Sequence, residues 1–330
     1  MPWWTSRGLI ARIFLPLSLL FALVVLTRRL AYRRGWIKSI PMPCPVIVVG
    51  NILVGGAGKT PFIITLAREL IQQGYCPLIL TRGYRGRSQT WPLLVDSDQD
   101  AAIAGDEAVL LARRAGCPVI AGPDRVEAAH FGFESFRQEP RRVLLLDDGL
   151  QHYRIQRDIE IAIEDGDRGY GNGWLLPAGP LREPLGRLQE VDFRIVNGKS
   201  SDADMVLQGD ILVNLADSRR ESISNWRGRK VHALAGIGHP ERFFRQLEQS
   251  GLEVIRHPYP DHFGFREEHI LFDDPLPVVM TEKDAVKCEK FASKRHWVLP
   301  VEANVEHRCI QAISHRLEAV MQEKQGEQDG

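Results

Sequence analysis

A glycine-rich loop between an apolar run and a helical pattern constrains the fold more than any other feature of the chain. The run VIVVGN (46–51) is typical of a buried parallel strand, and LVGGAGKT (53–60) follows it. Apolar residues at helical spacing continue from Pro61 to Gln73, and Gly74 is a typical helix end. A strand, a glycine loop and a helix in this order predict a phosphate-binding helix N-terminus.

The glycine loop matches the Walker A pattern G-x-x-x-x-G-K-[S/T] except at its first position, where Leu53 replaces glycine. Backbone N–H groups of such a loop surround a β-phosphate, the lysine pairs with β- and γ-oxygens, and the hydroxyl residue binds Mg²⁺. A chance Gly-Lys-Thr in a glycine-rich turn is the alternative, which the flanking strand and helix disfavour. The predicted nucleotide-binding residues are Gly55, Gly56, Ala57, Gly58, Lys59 and Thr60, with Thr60 also a metal ligand.

Alternating strand and helix patterns continue after this loop. Helical patterns at Gly105–Ala115 and Asp124–Phe136 separate the strand-like runs CPLILTRG, CPVIAG and RRVLLLDDG. Strict alternation predicts an α/β fold whose first domain is a P-loop NTPase-like parallel sheet. Beyond Asp158 the pattern loosens, and DFRIVNG with DMVLQGDILVNL indicates a pair of strands. A new pattern from KVHALAGIG, with LEVIRHPY and PVVMTEKDA as strands, predicts a second, smaller α/β/α domain.

Domain boundaries follow from these changes of pattern. We expect a membrane-anchoring segment at 1–38, a nucleotide-binding domain at 39–190, a two-stranded linker at 191–228 and the smaller domain at 229–330. The stretch RGYGNGWLLPAGPLREP has too many turn formers for a helix, so we expect a long functional loop there.

The N-terminal arm is basic and apolar. No acidic residue precedes Glu69, and the uncharged run IFLPLSLLFALVVLT between Arg12 and Arg28 is shorter than the roughly 20 residues of a spanning helix. A cleaved signal peptide is disfavoured because Thr27 is followed by two arginines instead of a small-residue cleavage site. A tilted spanning helix and a monotopic anchor both remain open. The basic flanks favour either over a buried core helix.

Composition excludes several classes of protein. Zero formal net charge and 44% hydrophobic residues argue against disorder and against a globally basic nucleic-acid binder. The five scattered cysteines form no C-x-x-C pair, so they indicate thiols in a reducing compartment and no cysteine metal site. No dimerisation segment is evident, and we expect a monomer that does not bind nucleic acid.

Two adjacent acids end the apolar run VLLLDD. Asp147 and Asp148 have the pattern of a Walker B element, in which a buried strand delivers a carboxylate to Mg²⁺ at its C-terminal edge. Adjacent side chains alternate in direction, so we expect one to face the metal and the other to support the loop. A strand that simply ends in a polar turn at Gly149 is the alternative.

Asp106 and His262 have ordinary explanations when each is taken alone. Asp106, in GDE, begins a predicted helix, where an N-cap is expected, and His262, in PDHFG, lies on a turn of the second domain. Their spacing in the sequence does not indicate that the two residues lie close together. Phosphorylation of an alcohol needs a base near neutrality, however, and a histidine oriented by an aspartate is one way to obtain it.

Several motifs follow one another along the chain: VGNILVGGAGKTP, LTRGYRGR, GDE, DDGLQH, LPAGPLREP and PDHFGF. In this order they resemble the tetraacyldisaccharide 4′-kinase family, the lipid A 4′-kinases of Gram-negative bacteria, from the N-terminal arm to about Lys287. The resemblance implies ATP- and Mg²⁺-dependent phosphorylation of the 4′-hydroxyl of tetraacyldisaccharide 1-phosphate, forming lipid IVA in lipid A biosynthesis. It also implies a lipid substrate and attachment to the cytoplasmic face of the inner membrane.

The resemblance also implies roles for particular residues. Asp106 and His262 resemble the catalytic dyad of the family, with either as the proton acceptor, and we expect the two domains to close over ATP to assemble it. Glu183, in REP, resembles an acid near the metal. Gln151 and His152 lie in the family motif DDGLQH, where the resemblance implies that they support the substrate or the motif itself. Three arginines of TRGYRGR are candidates for the substrate phosphate or the lipid surface, with a solvated basic turn as an equal alternative: Arg82, Arg85 and Arg87.

Two other classes of P-loop protein are alternatives to a kinase. Membrane-attached ATPase switches carry K-G-G-x-G-K-T, and Val54 occupies the position of their early lysine, which disfavours that class. A nucleotide-binding scaffold without turnover would have little use for paired acids and a separate histidine-bearing domain.

Overall fold

Two β-sheets, each flanked by helices, organise the chain. The computed structural model describes residues 2–329. The strands are β1 (Val46–Gly50), β2 (Cys76–Thr81), β3 (Leu93–Leu94), β4 (Val119–Ala121), β5 (Arg142–Asp147), β6 (Ile159–Asp165), β7 (Phe193–Asn197), β8 (Met205–Gln208), β9 (Ile211–Asn214), β10 (Arg220–Ser222), β11 (Lys230–Ala235), β12 (Glu253–Pro258), β13 (Val278–Thr281), β14 (His296–Leu299) and β15 (Glu302–Val305).

Helices surround both sheets. The α-helices are α1 (Leu9–Ile13), α2 (Leu15–Arg33), α3 (Lys59–Gln72), α4 (Ala101–Ala104), α5 (Asp106–Arg114), α6 (Arg125–Ser135), α7 (Pro240–Gln249), α8 (Glu282–Cys288) and α9 (His307–Asp329). Short 3-10 helices occur at Pro2–Thr5, Leu185–Gln189, Ile223–Trp226, Glu267–His269 and Glu289–Phe291.

The first sheet has the order β15-β8-β7-β6-β1-β5-β2-β4-β3. Its strands from β8 to β4 pair in parallel, and the two edge strands, β3 and β15, are antiparallel. All five residues of β1 are buried, as expected of a central parallel strand. Helix α3 packs on this sheet through Phe62, Leu66 and Leu70, which confirms the predicted helical spacing. The parallel α/β fold is therefore confirmed.

The pairing of β1 with β5 positions the site. Val49 is opposite Asp147, so the glycine loop after β1 and the acids at the end of β5 lie at the same edge of the sheet. Strand β6 was not predicted, because only a loosened pattern is evident after Asp158. All seven of its residues are buried beside β1, including Glu160 and Glu164, whose carboxylates pair with Arg187 and Arg194.

The second sheet has the order β10-β9-β14-β13-β11-β12, and β14, β13, β11 and β12 are parallel. Helix α7 buries Phe243, Phe244 and Leu247 against it. The run PVVMTEKDA is only partly a strand. Strand β13 ends at Thr281, whose hydroxyl accepts from the backbone N–H of Asp284 and caps α8.

The connection between the sheets differs from the expected linker at 191–228. The chain crosses from the first sheet to the second between β8 and β9, and it returns between β14 and β15. The two crossing segments pair antiparallel, β8 with β15 in the first sheet and β9 with β14 in the second. Strand β7 is an ordinary parallel member of the first sheet. The ribbon is thus built from segments about ninety residues apart, a pairing that no local pattern reveals.

The C-terminal helix α9 does not belong to the second domain, which was expected to span 229–330. Strand β15 joins the first sheet, and α9 buries Ile310, Ile313 and Leu317 in the same core as Leu66 of α3. An amphipathic helix shows which of its faces is apolar but not which domain covers that face. Residues 302–329 therefore lie on the first domain.

Helix α2 lies along the first domain and exposes an apolar face. An 18-residue stretch of this 19-residue helix has a mean hydropathy of 1.6, so length and composition would allow it to cross a membrane, and only 11% of that stretch is buried. Ser18 Oγ donates to the Leu175 carbonyl oxygen at 2.8 Å, and the Trp4 indole before α1 donates to Pro177 at 3.1 Å. The long loop before Glu183 therefore supports the N-terminal arm.

Candidate active site

The glycine loop leads directly into α3. Gly58, the residue before the helix, has φ +96°, and a Cβ at this position would lie 2.6 Å from Asn197 Nδ2. That amide donates to the Ala57 carbonyl oxygen at 2.9 Å, so Asn197 at the end of β7 fixes the position of the loop. Glycine is required here both for the left-handed backbone and for this close approach.

Lys59 is held at the mouth of the loop by two oxygens. Its Nζ lies 3.3 Å from Asp148 Oδ1 and 3.4 Å from Asn51 Oδ1. Thr60 follows in the first turn of α3, and both residues line the cavity described below. A phosphate bound at this helix N-terminus would pair with the Lys59 ammonium, which already pairs with the Asp148 carboxylate. The phosphate would share the ammonium with that carboxylate or replace the carboxylate.

Asp147 and Asp148 point to different partners. Asp147 is 2% exposed and accepts from Thr81 Oγ1 at 3.1 Å. Burial, together with the charges of Glu107 and Asp148, raises the pKa of Asp147 to about 7. Burial would also raise the pKa of Asp148, but the charges of Lys59 and Arg182 hold it well below its usual range. The Arg182 guanidinium lies 2.8 Å from Asp148 Oδ2.

The oxygens of Thr60, Asp147 and Asp148 are of the kind that magnesium prefers, and their role as ligands stays a prediction. Among the described residues, Asp148 Oδ1 has no partner besides the Lys59 ammonium, and burial with neighbouring negative charges disfavours the ionised form of Asp147, which a bound cation would favour. Within residues 2–329, no three or more His, Cys, Asp and Glu side chains form a metal cluster. Magnesium does not require one, because it retains waters and is usually bound by one or two carboxylates plus phosphate oxygens.

Glu183 contacts the N-terminal arm in addition to the motif DDGLQH. It is 1% exposed and accepts from Gln151 Nε2 at 3.0 Å and from the Tyr153 hydroxyl at 2.9 Å. The guanidinium groups of Arg29 and Arg187 lie 3.8 Å and 3.4 Å from its Oε2. Of these contacts, the one with Arg29 connects α2 to Glu183, and Arg29 also donates to Glu190. The role of Glu183 beside a metal stays a prediction.

Asp106 and His262 lie against each other across the two domains. His262 Nδ1 is 3.0 Å from Asp106 Oδ1 and 3.1 Å from Oδ2, and Asp106 is 6% exposed. Asp106 is the first residue of α5, and its Oδ1 accepts from the Glu107 N–H at 2.9 Å. His262 has φ +57° on its turn, an uncommon conformation for a residue with a Cβ. The structure therefore joins two residues that spacing alone does not join.

A lysine of α8 completes this cluster, and sequence reasoning did not single it out. Lys283 Nζ is 3.2 Å from His262 Nε2, 3.0 Å from Glu107 Oε1 and 3.1 Å from Asp261 Oδ1. One turn later, Lys287 Nζ is 3.6 Å from Asp106 Oδ2. The sequence does contain a sign of this cluster, because the two lysines of TEKDAVK are four positions apart and would lie on one face of a helix. This segment was predicted to be a strand, so the sign was missed.

The remaining predicted residues occupy different parts of the region. Arg82 and His152 line the cavity, whereas the Arg85 guanidinium donates to the backbone carbonyl of His262. Arg87 is exposed and does not line the cavity. Burial and the surrounding arginine charges lower the pKa of His152 to about 4, so its imidazole is neutral at pH 7.

One cavity of about 990 Å³ connects these parts. The second domain reaches the glycine loop, because a Cβ on Gly238 would lie 2.7 Å from the Gly56 nitrogen. Helix α2 forms an apolar wall that the sequence did not predict, with Phe21, Val24 and Val25 lining the same space. Other lining residues are Lys59, Thr60, Glu107, Arg125, Asp147, Asp148, Arg182, Glu183, His239, Arg242, His262 and Lys283.

The chain is similar in sequence to proteins of one family. The family model for LpxK, tetraacyldisaccharide-1-P 4′-kinase, matches residues 10–318. The tetraacyldisaccharide 4′-kinase of Nitrosococcus oceani is 46% identical over 92% of this chain and 89% of its own length. The namesake from Alkalilimnicola ehrlichii is 49% identical over 92% and 90%.

A solved structure is similar over nearly the whole chain. It is the crystal structure of the "apo" form of LpxK from Aquifex aeolicus in complex with ATP, with a TM-score of 0.75 and 27% identity. The alignment covers 94% of this chain and 100% of that one. Because the family model spans far more than half of the sequence, the chain belongs to the tetraacyldisaccharide-1-P 4′-kinase family.

Proposed function

We propose that this chain transfers the γ-phosphoryl group of ATP to the 4′-hydroxyl of tetraacyldisaccharide 1-phosphate, forming lipid IVA in lipid A biosynthesis. The observation that carries the proposal is one shared cavity. It contains Lys59 of the phosphate loop, His262 of the acid–base pair and the apolar wall of α2. A switch ATPase needs no such wall and no such pair, and family membership does not favour that alternative.

Donor binding depends on the edge of the first sheet. Backbone N–H groups of the glycine loop and the Lys59 ammonium face the cavity, where phosphate oxygens would accept from them. Thr60, Asp147 and Asp148 would hold Mg²⁺, which neutralises charge on the transferred group when bound. Arg182 stays paired with Asp148 and fixes the direction of that carboxylate.

Acceptor activation depends on the pair Asp106–His262. His262 lines the cavity, and Asp106 binds its Nδ1 from the buried side. The pair accepts the proton of the 4′-hydroxyl as the bond from that oxygen to the γ-phosphorus forms and the bond from the phosphorus to the ADP oxygen breaks. General-base catalysis of this kind contributes about 10²–10⁴ in rate. Because the two residues come from different domains, closure of the domains controls when the pair is assembled.

The N-terminal arm places the enzyme where its lipid substrate lies. We propose that α2 lies in the interface at the cytoplasmic face of the inner membrane and does not cross the bilayer. Ser18 and Arg29 hold its polar face against the first domain, while Leu19 is 68% exposed on the other side. Contacts near both ends of the helix hold it against the domain, which favours a position in the interface over a spanning one. One chain holds every element of this site, so a monomer suffices.

The proposal is tested by transfer of labelled γ-phosphate from Mg-ATP to purified tetraacyldisaccharide 1-phosphate in detergent micelles. Wild type is compared with Lys59→Ala and Asp106→Ala, and the exposed Asp98→Ala serves as the matched control. Labelled lipid that depends on both site residues but not on Asp98 supports a lipid kinase. ATP hydrolysis without lipid product, unaffected by added lipid and by Asp106→Ala, would reject it.

A further inference from the structure

Arg242 brings a guanidinium of the second domain into the cavity that contains the phosphate loop. It lies in the first turn of α7 and lines the same space as Lys59. Gly238, just before this helix, approaches the loop so closely that a Cβ on it would lie 2.7 Å from the Gly56 nitrogen and 3.0 Å from Gly55 Cα. The beginning of α7 therefore lies against the loop that is expected to receive phosphate.

The guanidinium of Arg242 is held by the carboxylate of Asp165. Arg242 Nη2 lies 2.7 Å from Asp165 Oδ1 and 4.0 Å from Asp167 Oδ2. Asp165 ends β6, the strand next to β1, so this ion pair lies at the edge of the sheet from which the phosphate loop extends. Lys59 is held in a similar way by Asp148 Oδ1, at 3.3 Å. Each domain therefore contributes a cation to this edge, and each cation is paired with a carboxylate.

Hydrogen bonding around the Arg242–Asp165 pair is incomplete. Arg242 Nη2, Asp165 Oδ2 and His239 Nδ1 are buried atoms without a hydrogen-bond partner within residues 2–329. His239 Nδ1 lies 3.7 Å from Asp165 Oδ2, which is too long for a hydrogen bond. Buried polar groups nearly always have a partner, so three unpartnered atoms in one place indicate that a ligand or a water belongs there. Arg242 and His239 both line the cavity, which gives a ligand access to them.

The chemistry of this cluster fits the phosphate chain of a nucleotide. A guanidinium offers five N–H donors in a fixed fork that matches two phosphate oxygens at once, and phosphate would supply the acceptor that Arg242 Nη2 lacks. Arg168 also lies at this edge, but its Nη1 donates to the Val54 carbonyl oxygen and its side chain does not line the cavity. An arginine that reaches the transferred phosphate from outside the phosphate loop is a recurring part of phosphoryl-transfer sites.

We propose that Arg242 is a second phosphate-binding cation of the donor site, contributed by the second domain, which pairs with phosphate oxygens of bound ATP in place of Asp165. The proposal rests on the proposed function, because it adds a residue to the site for the nucleotide that the kinase uses. Arg242 takes no part in proton transfer. Since Lys59 and Arg242 come from different domains and would contact one phosphate chain, bound ATP would hold the two domains together.

Binding is measured first, without lipid and without Mg²⁺, on the full-length protein in detergent. Isothermal titration calorimetry with ATP and with inorganic tripolyphosphate compares wild type with Arg242→Met. We expect the variant to bind each probe about tenfold more weakly, the effect of one lost charge-assisted hydrogen bond. Equal binding of tripolyphosphate by the two proteins would overturn the proposal. If ATP binding alone became weaker, the cluster would recognise the ribose or the base instead.

Two further variants separate phosphate binding from a general effect of charge. Arg245→Met removes an exposed arginine of the same helix that does not line the cavity, and it should bind tripolyphosphate like wild type. Arg242→Lys keeps the charge but loses the planar fork, so it should recover only part of the affinity. Equal losses in Arg242→Met and Arg245→Met would show that only net charge matters and would reject the proposal.

Asp165→Asn tests the exchange of partners. It keeps an oxygen for the backbone N–H groups of Asp167 and Arg168, but it removes the charge that competes with phosphate for Arg242. We expect it to bind tripolyphosphate about two- to fivefold more tightly than wild type, the range of a partly exposed ion pair. The double variant with Arg242→Met should lose this gain. An ion pair that only connects the domains predicts no gain, so unchanged or weaker binding in Asp165→Asn would refute the exchange.

Kinetics distinguish this proposal from the proposed function. In Arg242→Met, we expect the KM for ATP to rise about tenfold while the KM for the lipid stays the same. If tripolyphosphate binding depends on Arg242 but wild type phosphorylates no lipid, the proposed acceptor fails and the donor contact stands. If lipid is phosphorylated and Arg242→Met binds tripolyphosphate like wild type, only the donor contact fails. Thermal melting identifies a variant that does not fold, and Asp165→Asn then decides, because a folding defect cannot produce a gain in affinity.

Discussion

His262 Nδ1 lies 3.0 Å from Asp106 Oδ1 although 156 positions of sequence separate the two residues. His262 lies on the turn after β12 in the second domain and Asp106 begins α5 in the first, so their contact depends on how the domains are held together. The antiparallel crossings β8–β15 and β9–β14 provide that connection.

Asp106→Ala and His262→Ala should each lower kcat/KM by about 10²–10³, because either change removes the working base. The double variant should lose little more than the worse single variant, since residues that act as one unit are not additive. Steady-state phosphorylation assays of the four proteins test this. Fully additive losses would show that the residues act independently.

Lys59→Ala should weaken phosphate binding and lower kcat/KM by at least about 10², because a charge aimed at the transferred group is lost. Asp148→Asn should also lose activity, while its neutral side chain leaves the lysine less tightly paired. Equilibrium binding of a fluorescent ATP analogue without Mg²⁺ distinguishes the two variants. We expect Asp148→Asn to bind the analogue more tightly than Lys59→Ala does. Exposed Lys294→Ala is the control, and equal losses in all three variants would contradict the assignment.

Arg29→Met should destabilise the protein by about 2 kcal/mol. It leaves the buried Glu183 with one guanidinium, that of Arg187, and breaking a buried ion pair costs about 3–5 kcal/mol when no second partner remains. Arg33→Met is a suitable control because its side chain is 71% exposed, and it should change stability by less than about 0.5 kcal/mol. Chemical denaturation in detergent measures both. Equal effects would place the helix outside the folded unit.

Replacement of Leu9, Ile13 and Leu20 by serine should release the protein from lipid vesicles. These side chains are 77%, 66% and 57% exposed on the face that points away from the domain. Withdrawing three such side chains from an apolar environment costs on the order of 5 kcal/mol. Co-sedimentation with vesicles that contain anionic lipid measures the loss. The exposed Leu271→Ser of the second domain should bind like wild type, and retention of the triple variant would argue against the anchor.

His152→Gln should reduce the acid sensitivity of folding between pH 6.5 and pH 4. Burial, and then the arginine charges around it, lower the pKa of His152 from 6.5 to about 4. Between these values the unfolded chain binds a proton that the folded protein does not, so stability is full above pH 6.5 and falls as the pH decreases toward 4. Melting temperatures across this range, with exposed His130→Gln as the control, should show a shallower slope only for His152→Gln.

Local patterns predicted the first domain well. The run 46–51 and the helix after Lys59 are as expected, because burial of a central strand and the chemistry of a phosphate loop depend on residues close in sequence. Strand β6 was missed although its apolar and acidic residues alternate, because the burial of Glu160 and Glu164 depends on Arg187 and Arg194, which come later in the chain. The beginning of α8 was missed because the four buried residues of β13 lead into it without a break.

Long-range pairings could not be obtained in this way. Strand β15 pairs with β8 across almost a hundred residues, and α9 returns to the first core by Ile313 and Leu317. Both segments carry ordinary amphipathic patterns, which specify an apolar face but no partner for it. The expected domain limits at 228 and 330 fail for this reason.

The sequence by itself determined the phosphate loop, the acids after β5, the apolar arm and, through family resemblance, the residues Asp106 and His262. Tertiary structure decided that these parts share one cavity, that Glu183 ties α2 to the site, and that Lys283 contacts the histidine. Short-range patterns arise from backbone geometry and local burial, which few residues encode. Contacts between domains depend on the packing of every intervening element, and no segment encodes that alone.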